Sequence, residues 1–127
     1  MNQMKERIKS YANQYLPEAI SVRRHLHQHP ELSTQEVKTS AFISEKLTEW
    51  GIDHQCGIAK TGIVGTIKGK NPDSFVVGLR ADMDALPIAE QNTFEFKSLN
   101  PGVMHACGHD AHIASLLYTL RILHKLR

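Results

Sequence analysis

Residues 102–112 read GVMHACGHDAH, and His105, Cys107, His109, Asp110 and His112 all stand within eight positions. Each of those side chains can ligate a metal or orient a ligand. Cys107 and His109 are two apart, which on a helix sends them to different faces but in an extended or turning segment puts them on one side. Gly102 and Gly108 permit such a turn. An apolar helical repeat begins at Ile113, so the pair stands just before a helix N-terminus, where the helix dipole favours the thiolate and the neutral imidazole, the ligand form of each. Thiolate with imidazole suits zinc, cobalt or another late divalent ion, and carboxylates from elsewhere would admit manganese. His105, Asp110 and His112 are then candidates for supporting partners. Two other readings compete: half of a disulfide, or a polar loop that gathers His and Asp with no metal. Two ligands alone do not make a site, but five ligand types in eight residues favour the metal.

A second stretch, FVVGLRADMD at 75–84, is a buried-strand pattern ending in two acids. Sites in α/β sheets form at the carboxyl ends of strands. Asp82 is placed to orient a metal-bound imidazole or a water, whereas Asp84 fits better as the cap of a turn before Leu86-Pro87. His25, His27 and His29 form a third group, with His25 and His29 on one helical face. That spacing alone is a weak zinc signal, and a helix C-terminus favours protonated histidine without any metal.

The elements that must hold these residues follow from periodicity. Met4, Ile8 and Tyr11 predict one helix, and Pro17 marks a new start before Ile20, Val22 and Leu26. His29-Pro30 ends that run. Ser33 to Glu36 has the form of a capping box, followed by a helical face of Val37, Ala41, Ile43, Leu47 and Trp50 that Gly51 terminates. Strands are expected at Ile52–Cys56, Gly62–Ile67 and Phe75–Arg80, the last two separated by a turn at 69–74. A final helix carries Ile113, Leu116, Leu117, Leu120 and Leu123, with Asp110 as its N-cap. The fold class is α/β, with an incomplete sheet of about three strands flanked by helices. That makes a thin core, and the chain is expected to be part of a larger domain.

Composition narrows the function. The chain has 127 residues, 41% hydrophobic and 22% charged, enough for one globular domain. Its net charge of +2 is scattered, with no basic block to meet nucleic acid. No apolar stretch approaches a membrane span, and the first ten residues lack the apolar core of a signal peptide. The expectation is a cytoplasmic protein whose two cysteines, Cys56 and Cys107, stay reduced.

Three segments, RRHLHQHPELS at 23–33, GLRADMDALPI at 78–88 and MHACGHD at 104–110, resemble the N-terminal part of the M20 metallopeptidase and amidohydrolase family. The subgroup is that of N-acyl-amino-acid amidohydrolases and hippurate hydrolases. The resemblance implies that residues 1–127 are part of a zinc-peptidase-like catalytic domain of two or three layers, with the rest of that domain and a dimerisation domain absent. It implies a two-metal site in which Cys107 and His109 are ligands, manganese being favoured over zinc, cobalt or nickel. Arg80 occupies the place of a histidine ligand in the wider family, and Asp82 keeps the acid of that motif as an orienting group. The implied substrate is a small N-acyl amino acid, and a homodimer is expected only for a full-length form. The general-base glutamate of the family has no counterpart here, so the chain alone is expected to bind metal weakly and to be inactive. The alternative is a catalytically inactive remnant that at most binds metal or a partner.

Overall fold

A computed structural model describes residues 2–127. Helix α1 spans Asn2–Gln28, α2 Val37–Glu49 and α3 His109–Leu126, and strands β1 (Asp53–Ile58) and β2 (Gly62–Thr66) pair antiparallel. The class is α/β. Among the described residues no helix is long and apolar enough to cross a membrane.

Helix α3 buries Asp110, Ile113, Ala114, Leu117 and Tyr118, a repeat of three and four that makes one continuous stripe. The stripe packs along α1 over Tyr15, Val22 and Leu26, and Ile43 and Leu47 of α2 close the core from the β-hairpin side. Arg121 lies over the rings of Tyr15 and Trp50, 4.2 and 4.7 Å from their centroids, and pairs with Glu18 of α1. This cation–π and ionic contact fastens the far end of the α1–α3 pair.

Three expectations about the elements need correction. Pro17 does not start a new helix; α1 runs through it. Proline removes one backbone bond, but Tyr15, Val22 and Leu26 keep the same buried face on either side of it, and tertiary packing outweighs the loss. The capping box also fails to form, since Glu36 makes no side-chain cap bond. Glu31 takes that duty instead: its carboxylate accepts the amides of Lys38 and Thr39 at 3.1 and 2.7 Å, while Glu36 accepts the Thr61 hydroxyl at 2.7 Å. Finally, α3 starts at His109 rather than after Asp110, with Gly108 in the cap position at φ +92°.

The third strand is absent among the described residues; the sheet has two strands, and 75–80 pairs with nothing. Phe75, Val76, Val77 and Leu79 are exposed, Val76 to 91%. Strand preference is mostly a preference for a pleated, half-buried surface, and without a neighbouring strand the run has no such surface to join. Val76→Lys is therefore expected to change the stability of this chain by no more than about 0.5 kcal/mol in urea unfolding. A larger loss would mean that the run is packed in solution.

Two isolated bridges set the loops that lead to the quoted motif. Leu32 pairs with Ala85 and Leu86 with Met104. The Leu86 and Met104 amides donate to each other's carbonyls at 2.9 and 3.0 Å, and the Ala85 amide donates to Glu31 at 2.8 Å. Residues 82–90 are thereby clamped between the end of α1 and the approach to α3.

Candidate metal centre

His109 opens α3, immediately after the left-handed turn that Gly108 supplies. Its Nδ1 donates to the Asp84 carbonyl at 2.8 Å and lies 3.1 Å from the Asp84 carboxylate. The hydrogen is thereby fixed on Nδ1, and Nε2 carries the lone pair. Metal-binding histidines are oriented in this way, by a carbonyl or carboxylate on the other ring nitrogen. Cys107, two residues earlier, is a free and exposed thiol, so the disulfide reading has no support here. An oriented imidazole and an exposed thiol at one helix start fit a divalent metal. They are two ligands only: among the described residues no group of three or more His, Cys, Asp or Glu side chains could hold an ion.

Asp82 does not touch His109. Its carboxylate is taken by Arg80, with Nε at 2.9 Å and a terminal guanidinium nitrogen at 2.8 Å, both side chains well exposed. The acid that meets the imidazole is Asp84, two residues on, which the sequence reading had assigned to a turn. The alternation of the run cannot separate the two, since Asp82 and Asp84 have the same parity.

Close to His109 lies a buried ionic cluster. Asp110 is fully buried, and one of its carboxylate oxygens accepts from His27 Nδ1 at 2.7 Å and from Arg23 Nε at 2.9 Å. Arg23 and His27 are four apart on α1, one turn above the other, which lets both reach one carboxylate. His27 Nε2 meets the Glu90 carboxylate at 2.9 Å. A carboxylate therefore stands at each ring nitrogen of His27. Burial would raise the Glu90 pKa, but the Ser98 amide, the Asn92 side-chain amide and His27 together hold it down at about 2. The cluster thus joins α1, the 82–90 loop and the first turn of α3, and it fixes the helix start that carries His109.

His105 is buried with both ring nitrogens unpartnered, as is the second oxygen of Asp110. Burial pushes the His105 imidazole below its ordinary value, Asp110 and Asp84 pull it up, and His27 and His109 oppose them. His25 and His29 are on the outer face of α1, their rings 4.4 Å apart, and take no part in the cluster. His112 is exposed. A groove of about 580 Å³ is lined by Gln28, His29, Glu31, Lys38 and Asn100 among others, and includes neither Cys107 nor His109.

A thiol and an oriented imidazole thus stand at one helix start, backed by buried charge within an α/β fold. The chain belongs to the peptidase family M20/M25/M40, which residues 78–127 match. It is 52% identical over 123 residues to the N-acyl-L-amino acid amidohydrolase of Geobacillus stearothermophilus, covering 97% of this chain and 33% of that enzyme. It is 45% identical to the hippurate hydrolase of Campylobacter jejuni, covering 80% of this chain and 26% of that one. Among solved structures, the Bacillus subtilis YXEP protein, a dinuclear metal binding peptidase from the M20 family, superposes with a TM-score of 0.83 at 44% identity. That match covers 94% of this chain and 32% of the other. The chain spans about a third of the length of these relatives.

Proposed function

We propose that this chain supplies part of the metal centre of a hydrolase that cleaves the amide bond of N-acyl amino acids. The observation that carries the reading is the His109 imidazole, two residues from Cys107 and held by Asp84 through Nδ1, which leaves Nε2 for a ligand. The relatives named above, which act on N-acyl-L-amino acids and hippurate, support the substrate class. A divalent ion bound there, with manganese favoured, would supply Lewis-acid polarisation of the scissile carbonyl.

The chain's own residues do the holding. Cys107 and His109 are the ligands, Asp84 fixes the tautomer, and Asp110 with Arg23 and His27 keeps the first turn of α3 in place. Asp82, paired with Arg80, is a more distant electrostatic contributor. No residue in this set is a free, properly placed general base, so the isolated chain is expected to bind an ion and turn over little or no N-acyl amino acid.

Cobalt titration of the purified chain tests this reading. A thiolate-to-cobalt charge-transfer band is expected, lost in Cys107→Ala and weakened at least about tenfold in affinity in His109→Ala. A spectrum indifferent to both substitutions would remove the ligand assignment. Hydrolysis of N-acetyl and N-benzoyl amino acids with added Mn²⁺, measured alongside, separates binding from catalysis. Clear turnover abolished by Cys107→Ala would overturn the expectation that the isolated chain is inactive.

A further inference from the structure

Ser44 on α2 and His54 and Cys56 on β1 form a second cluster of reactive side chains, on elements that contribute nothing to the metal centre. His54 and Cys56 are two apart on a strand and so share a face. Both converge on one hydroxyl: His54 Nε2 is 2.8 Å and Cys56 Sγ 3.4 Å from Ser44 Oγ. His54 Nδ1 donates to the Ile52 carbonyl at 2.9 Å, so Nε2 is the accepting nitrogen. The Ser44 hydroxyl must then donate to His54 and accept the Cys56 S–H, which sets the direction of every link. Two other helical hydroxyls behave differently, although Thr39 also reaches a side chain, that of Glu31. Thr48 and Thr119 bond back to carbonyls four residues earlier, the common outlet on a helix, whereas Ser44 turns outward to the imidazole. A nucleophile, a base within hydrogen-bond reach and a third group orienting the base is the arrangement that activates side chains for attack. Here the end of the relay is Cys56, which is exposed, while Ser44 and His54 are half-buried.

We propose that Cys56 is a modification site for low-molecular-weight disulfides, activated by proton relay through Ser44 to His54. As the Cys56 sulfur attacks one sulfur of the disulfide, its proton passes to Ser44 Oγ and the Ser44 proton passes to His54 Nε2. The new S–S bond forms as the old one breaks, and the departing thiolate takes the proton from His54. The products are Cys56 in a mixed disulfide and one free thiol, with the relay restored. Nothing is oxidised or reduced beyond the exchange itself.

The test is the rate of modification of each cysteine in the intact chain by oxidised glutathione and, separately, by iodoacetamide, read by mass spectrometry of the Cys56 and Cys107 peptides. Cys56 is expected to react about tenfold faster in the wild-type chain than in Ser44→Ala or His54→Gln, while Cys107 keeps its rate in all three. Ser44→Thr, which retains the hydroxyl, is expected to restore most of the Cys56 rate. Equal Cys56 rates in wild type, Ser44→Ala and His54→Gln would overturn the proposal. A comparison that needs no variant is the folded chain against the same chain in urea: Cys56 must react severalfold faster when folded, and an equal or slower folded rate would also overturn it.

Discussion

Asp110→Ala is expected to destabilise the chain by about 3 kcal/mol, the low end of what breaking a buried ion pair costs. Asp110 is fully buried, and one of its oxygens receives both Arg23 and His27. Removing the carboxylate leaves Arg23 and His27 facing a small apolar methyl. Arg23 is 36% exposed and recovers part of its loss by turning toward water, which holds the cost at the low end. His27 is 3% exposed and cannot do the same. Asp110→Asn keeps the size and one acceptor but loses the charge, and is expected to cost less than the alanine. Against a total stability of roughly 5–15 kcal/mol for a domain, the alanine variant should show a large drop in urea midpoint. A loss under about 1 kcal/mol would show that the α1–α3 interface rests on its apolar stripe alone and that the ionic cluster adds nothing net, as some buried ion pairs do.

The helices were legible because their burial follows one local rule. Ile43 and Leu47 in α2, and Ile113 and Leu117 in α3, stand four apart and are buried as that spacing predicts, whereas Val37 and Leu123 on the same faces, and Met4, Ile8 and Ile20 in α1, are exposed. The hairpin strands were expected at 52–56 and 62–67, and the structure has them at Asp53–Ile58 and Gly62–Thr66. What failed depended on contacts distant in sequence. Pro17 signals a break, yet α3, about a hundred residues later, packs against α1 on both sides of it, at Tyr15 before and at Val22 and Leu26 after. The run at 75–79 has a strand's composition, but strand formation needs a neighbour, and none of the described residues supplies one. In the candidate site, Cys107 and His109 were singled out by their chemistry and spacing, and the structure places them at the start of α3. Asp84, His27, Glu90 and Arg23 were not, because His27 meets Asp110 across 83 positions and Glu90 across 63. One clue was present: Asp110 is in phase with Ile113, Ala114 and Leu117, so a charged residue begins an otherwise apolar stripe. A buried acid in that position demands cationic partners, and Arg23 with His27, four apart, offered a matching pair on α1.

Acid is expected to unfold the chain through Glu90. The carboxyl is held at about 2, against 4.5 for an unperturbed glutamate, by the Ser98 amide, Asn92 and His27, which outweigh the burial that would raise it. Below 4.5 the unfolded chain takes up a proton at this position that the folded chain refuses. More protons are then bound by the unfolded state, and stability falls as pH falls. The Glu90 contribution is fully present above 4.5 and is lost progressively down to about 2. Loss of that charge also weakens one of the two carboxylate contacts to the His27 ring, so the α1 side of the cluster loosens together with the 82–90 loop. Glu90→Gln is expected to be less stable than the wild type near pH 6 and to lose less stability between pH 4.5 and 2, the two curves converging at the acid end. Urea unfolding across that range measures both. Parallel curves for the two proteins would show that the acid sensitivity comes from other carboxylates and that Glu90 is not the group through which this fold yields to protons.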